Sequence, residues 1–204
     1  MFYEPSKNNH GLTHNPFKSC VVPRPIGWIS TRDLTGKPNL APYSYFNAIC
    51  DNPAMVMFAA TTTKIDHRIK DSVTNAEETG EFVVNIATYE LREAMNKTSA
   101  ELPVGANEFE LAQLETEASV LVKSPRVKLS PIHLECTYYQ TILLPTNNPA
   151  HQSRLVLGKV IGVHIADHVI VDGKVDLKKV LPIGRLGYME YGVIDNIFTM
   201  QRPD

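Results

Sequence analysis

Val21–Asn47 reads VVPRPIGWISTRDLTGKPNLAPYSYFN. Its first part, Ile26 to Thr31, is rich in β-formers and ends in a hydroxyl pair, Ser30 and Thr31. Asp33, Gly36 and Pro38 then carry the chemistry of a hairpin turn. The second part places Pro42, Tyr43, Ser44, Tyr45, Phe46 and Asn47 in succession. Side chains of an extended segment alternate between two faces, so neither face here is purely apolar or purely polar. That mixture suits a planar, heteroatom-rich ligand better than a dry core.

Outward from this hairpin, β-branched and aromatic density bounded by Pro, Gly and Asn predicts strands at about 20–31, 40–49, 54–61, 81–87, 132–144, 154–166 and 169–171. Helices fill the gaps. Asp66 is placed to cap one running through Thr79, with Ile69, Val73 and Ala76 at helical spacing and Gly80 just beyond its end. Thr88 is placed to cap YELREAMNK, and Asn107 to cap EFELAQLE. No repeat or linker divides the 204 residues, so a single domain over 1–204 is expected. Many strands with a few short peripheral helices fit a closed barrel with excursions and not a doubly wound sheet. The sequence contains no G-x-G-x-x-G, no P-loop, no G-x-S-x-G and no H-E-x-x-H.

Charge narrows the partners. Twenty basic against 22 acidic residues give a formal net of −2, which argues against binding a polyanion through bulk electrostatics. Apolar runs such as Ala54–Ala60 and Leu155–Ile165 are too short or interrupted to span a bilayer, and MFYEPSKNNHG lacks a signal-peptide core. Neither nucleic acid nor membrane is expected, and the cytoplasm is the expected compartment. Cys20, Cys50 and Cys136 are widely separated with no C-x-x-C pair and are expected to be buried reduced thiols. His164 and His168 are four apart but flank a strand end, so a metal site is not expected.

Two segments offer charge for a ligand. In ATTTKIDHRIKDS, Thr61, Thr62 and Thr63 precede a predicted helix N-terminus, with Lys64, Arg68 and Lys70 close behind, an arrangement that suits a phosphate as well as a solvated helix face. In GRLGYMEYG, Arg185, Tyr188 and Tyr191 lie among glycines that permit close backbone approach.

PRPIGWIST, NLAPYSYFNAI and the following NPAMVMFAAT resemble the opening of the flavin reductase-like family. RIKDSVTNAEETGEFVVN at 68–85 is similar to the family's KDT-x-x-N stretch, with Ser72 where Thr is more usual. LVLGKVIGVHIAD at 155–167 and LPIGRLGYMEYGVI at 181–194 resemble its last strands, whereas 97–118 carries nothing diagnostic. The resemblance implies a mainly β fold, the FMN-binding split β-barrel with Greek-key-like connections and a few peripheral α-helices.

It also implies a site. Ser30, Thr31, Tyr43, Ser44, Tyr45, Phe46 and Asn47 would cradle the isoalloxazine ring and its polar edge. Thr61, Thr62, Thr63, Lys70, Asp71 and Ser72 would lie around the FMN phosphate and ribityl chain. Arg185 would touch a phosphate or the nicotinamide donor, with the flavin role favoured; no catalytic residue is singled out. The implied activity is an FMN-binding oxidoreductase taking hydride from NADH or NADPH onto flavin N5, with a non-enzymatic FMN-binding or electron-transfer protein as the alternative. A homodimer with the flavin near its interface, and a partner oxygenase fed with reduced flavin, belong to the same expectation.

Overall fold

The hairpin expected around Asp33 is present in the computed structural model, which describes residues 1–63, 68–102, 106–148 and 151–203. The Asp33 carboxylate accepts from the Thr35 hydroxyl (2.6 Å) and from the amides of Thr35 and Lys37 (both 2.9 Å). Those hydrogen bonds hold its carboxyl below the ordinary value. Gly36 turns the chain at φ +92°, a conformation open to glycine at no steric cost. The turn joins β2 (Gly27–Arg32) to β3 (Pro38–Tyr43), and a short β1 (Arg24–Pro25) precedes them.

The strand expected over 40–49 is two strands. The chain bends at Ser44 and Tyr45, then continues as β4 (Phe46–Asp51), which pairs with β5 (Ala54–Ala60). The main sheet is completed by β6 (Glu81–Ile86), β9 (Ile132–Leu144) and β10 (Ser153–Ile165), after short β7 (Thr116–Glu117) and β8 (Arg126–Val127). Its order is β3-β2-β6-β9-β10-β5-β4, antiparallel throughout. Strands β3 and β4 follow one another in the chain yet occupy opposite edges, so the sheet must roll up until a two-residue link can join its ends. A Cβ on Gly27 would stand 2.5 Å from the Phe46 ring, which records how closely the β4 edge approaches β2 across the roll. Register shifts at Leu157/Gly158 and Val160/Gly162 help β10 coil against β9.

Inside the roll, Ile29, Phe46, Phe58, Phe82, Val84 and Val156 form one core, with Phe58 and Phe82 edge to face at 5.4 Å. Helix α1 (Asp71–Thr79) covers it through Val73 and Ala76 and stops at left-handed Gly80. The helix begins at Asp71, later than expected, because Lys70 is still extended (φ −61°, ψ 135°); Asp66 lies outside the described residues. Ile69 nevertheless packs against the core from outside the helix.

A second core of Ile26, Trp28, Leu40, Met95, Phe109 and Val127 lies under α2 (Arg92–Lys97) and α3 (Glu108–Leu111). Alternation along β2 sends Ile29 to the first core and Trp28 to the second, where the indole N–H donates to Thr98 Oγ1 (2.9 Å). Asn107 caps α3 as expected, its side chain accepting from the Phe109 amide (3.0 Å). Thr88 instead accepts from the Leu91 amide in the turn before α2. A hairpin of β11 (Ile170–Val171) and β12 (Lys174–Val175), then α4 (Leu177–Val180) capped by Asp176, lead into β13 (Ile183–Arg185) and β14 (Tyr191–Val193). These last two form a small sheet with β1. Cys136 is buried as expected; Cys20 and Cys50 are exposed, because they fall in the turn before β1 and at the β4 edge.

Candidate functional site

The deepest polar groups on the hairpin belong to a network. Ser30 and Thr31 are fully buried. The Ser30 hydroxyl donates to Pro125 O (2.6 Å) and accepts from Asn85 Nδ2 (3.0 Å). The Thr31 hydroxyl accepts from Asn75 Nδ2 (3.0 Å), while Asn39 Nδ2 donates to Ser72 Oγ (2.9 Å). These bonds fasten the first turn of α1 to the β2–β3 hairpin. Ser72 also hydrogen-bonds Tyr43, whose phenol burial pushes up to about 12, so it stays protonated. The Tyr43 ring packs on Phe58 at 4.9 Å.

From this network a groove opens. Its first cavity, about 110 Å³, has Tyr43, the Lys70–Ser72 entry to α1, Glu101 and Glu108 in its wall. Lys70 Nζ pairs with Glu101 at 2.7 Å, and Asp71 and Glu108 add further carboxyl groups. Pro42 and Ser99 are shared with a second cavity of about 310 Å³, walled by Lys18, Arg24, Ser44 and Arg185. Arg185, Met95 and Tyr191 are shared in turn with a third, of about 390 Å³, which reaches Tyr89 and Arg92.

Of the remaining expected residues Arg185 walls the second and third cavities, while Tyr45, Phe46, Asn47, Thr61, Thr62 and Thr63 wall none of the three. Tyr45 has the Arg24 guanidinium 6.0 Å from its ring centre. Phe46 is buried in the first core, and exposed Asn47 accepts from its neighbour's amide at Ala48 (3.0 Å). Thr61 and Thr62 are exposed just past β5, whereas Thr63 is buried and hydrogen-bonded to His151 (3.1 Å). The late start of α1 separates these threonines from its N-terminus; Lys64 lies outside the described residues. Arg185 stacks over Tyr191 at 4.4 Å, hydrogen-bonds its hydroxyl and donates to Tyr188 O (2.5 Å). Lys18 and Arg24 were not foreseen. The signal for Arg24 is a cation set between Pro23 and Pro25 at the start of an otherwise apolar strand.

The sequence profile described as "Flavin reductase like domain" matches residues 19–179. The chain belongs to the flavin reductase-like family. A protein of Aquifex aeolicus, uncharacterized, is 38% identical over 172 residues, 84% of each chain. Among solved structures, nitrilotriacetate monooxygenase component B from Bacillus cereus is 30% identical, with a TM-score of 0.88 and 98% of both chains covered. A putative flavin reductase with split barrel domain from Shewanella frigidimarina superposes over 100% of both chains (TM-score 0.83) at 21% identity, which identifies the fold as the split barrel. The family is one of flavin-related oxidoreductases. Among the described residues no helix is long and apolar enough to cross a membrane.

Proposed function

We propose that the chain binds FMN in this groove and acts as an oxidoreductase that takes hydride from NADH or NADPH. The observation that carries the reading is the groove itself, which runs from Lys70 and the N-terminus of α1, past the Tyr43–Tyr45 bend, to Arg185. A helix N-terminus with a lysine suits the phosphate. The bend offers aromatic faces and main-chain groups to the ring, with Asn47 beside it and Phe46 fixing the bend from the core. Tyr43 presents a hydroxyl that remains a donor at physiological pH. Ser30, Thr31 and Ser72 hold the wall rigid, which lowers the ordering cost of binding. Asp71 would stand at the phosphate and ribityl end, whereas Thr61, Thr62 and Thr63 wall none of the three cavities.

Lys70 is engaged by Glu101, but both side chains are partly exposed, 23% and 36%. Such a pair contributes about 0–1 kcal/mol, less than the roughly 1.5–3 kcal/mol of a charge-assisted bond to phosphate. Exchange of Glu101 for the phosphate is therefore downhill.

When bound, FMN would supply N5 as hydride acceptor, the nicotinamide being oxidised while a solvent proton completes the reduced flavin. The protein's part is to align the two rings and exclude water between them. A second copy of the chain would cover exposed Tyr139, Leu143, Ile161 and Val163 on β9 and β10. By likeness to the monooxygenase component, reduced flavin would pass to an oxygenase partner.

Titration with FMN and riboflavin, read by flavin fluorescence beside sedimentation, tests this. Micromolar or tighter FMN binding to a dimer is expected, with FMN preferred over riboflavin. Absence of binding to both flavins sinks the reading.

A further inference from the structure

We infer that Met189 is a site of reversible oxidation by hydrogen peroxide, and that its sulfoxide holds Arg185 and loosens flavin from the groove. This rests on the reading above, which places Arg185 at the flavin. Two methionines stand in the walls of both the second and the third cavity, Met95 and Met189. Met95 is 1% exposed and belongs to the second core, whereas Met189 is 83% exposed. Met189 sits in the turn that joins β13 to β14, closed by the Leu186 amide on Glu190 O and the Glu190 amide on Gly187 O, both at 3.0 Å. Turn positions favour Gly, Asn and Asp, and a methionine so exposed adds little to a core. Its sulfur nevertheless has a partner. Arg185 Nη2 donates to Met189 Sδ at 3.7 Å and to Tyr188 O at 2.5 Å, while Nη1 donates to the Tyr191 hydroxyl.

The chemistry follows from that contact. A thioether is a weak acceptor, so Arg185 keeps most of its capacity for an anion. Hydrogen peroxide is the oxidant, formed when reduced flavin gives two electrons and two protons to oxygen. The Met189 sulfur attacks one peroxide oxygen, the O–O bond breaks, and the departing hydroxide takes up a proton to leave as water. Sulfur is thereby oxidised by two electrons and carries a polar S–O group. The new oxygen lies within reach of Nη2 and accepts from it far better than sulfur does. Both Nη2 hydrogens are then occupied, one by Tyr188 O and one by the sulfoxide, and a bound anion loses a donor. A protein that reduces flavin without passing it on would in this way slow its own reloading.

The test treats the protein with graded hydrogen peroxide, reads methionine oxidation by peptide mass spectrometry and reads FMN affinity by flavin fluorescence. Met189 should oxidise no later than exposed Met1 and Met200, which wall none of the three cavities, while buried Met95 stays reduced. FMN affinity should fall about three- to tenfold and return when methionine sulfoxide reductase restores the thioether. In Met189→Leu, treated and untreated protein should bind FMN alike, which separates Met189 from the exposed thiols of Cys20 and Cys50. Arg185→Met should bind FMN less well from the start and no longer respond to peroxide. The inference is overturned if Met189 oxidises with no change in FMN affinity, or if either variant loses affinity on treatment as the wild type does. It is also overturned if Met189 survives doses that convert Met1 and Met200. Untreated protein that binds no flavin is a separate outcome, read before any peroxide is added, and removes the parent reading along with this one.

Discussion

Glu135 and Arg24 are both charged and both buried, but the protein treats them differently. Glu135 accepts from the amides of Val120 (2.8 Å), Leu121 (2.6 Å) and Val122 (3.2 Å) and from His164 Nε2 (2.5 Å). Nearby Glu81 takes the amides of Lys123 and Ser124, both at 2.8 Å, so two carboxylates staple the 120–124 loop to the sheet. Arg24 has carbonyls for most of its donors, one idle nitrogen and no carboxylate. A buried charge whose capacity is filled closes a piece of structure. One held by carbonyls without a carboxylate keeps its positive charge at the wall of a cavity.

The largest effect should come from breaking the filled site. Glu135→Ala strands three amides and is expected to lower the unfolding free energy by about 3–5 kcal/mol, measured by urea denaturation. Burial alone would raise the Glu135 carboxyl, but the bonds from Val120, His164 and Leu121 outweigh it and hold it below the ordinary value. A carboxyl lowered on folding stabilises above its unfolded value and loses that contribution as pH falls through the folded one. The wild type should therefore lose more stability on acidification than Glu135→Gln, in which that group cannot titrate.

On the ligand side, Lys70→Met is expected to weaken FMN by about 10–100-fold while changing riboflavin little; equal loss of both would remove Lys70 from the phosphate end. Tyr43→Phe deletes one hydroxyl and should weaken FMN by less, about the 0.5–1.5 kcal/mol of an ordinary hydrogen bond, in the same titration. At the bottom of the scale, Lys128→Gln breaks only the exposed pair with Glu115, and the thermal midpoint should not move measurably.

Local chemistry was legible in the sequence wherever it alone decides the structure. Asp33 and Gly36 specify their turn within a few residues, Asn107 its cap, and the period-two apolar strands their sheet. The break at Ser44–Tyr45 was not legible, because it follows from closing the roll: β3 and β4 must reach opposite edges, and no residue in YSYF announces that. The start of α1 was set too early because Ile69 has helical spacing yet packs on the core from an extended segment. Of the candidate site, Tyr43, Ser44, Lys70, Asp71, Ser72 and Arg185 were named and lie along one groove. Lys18 and Arg24 were missed because a buried cation without a carboxylate is a property of the folded wall, visible only once the closing segment's Leu186 carbonyl comes to meet it.

The most direct measurement is anaerobic mixing of the FMN-loaded protein with NADH or NADPH while the oxidised-flavin absorption band is followed. Rapid bleaching by at least one donor, saturating as its concentration rises, is the predicted result. A band that persists with both donors, yet bleaches with a chemical reductant, would contradict hydride transfer and leave a protein that carries flavin without reducing it.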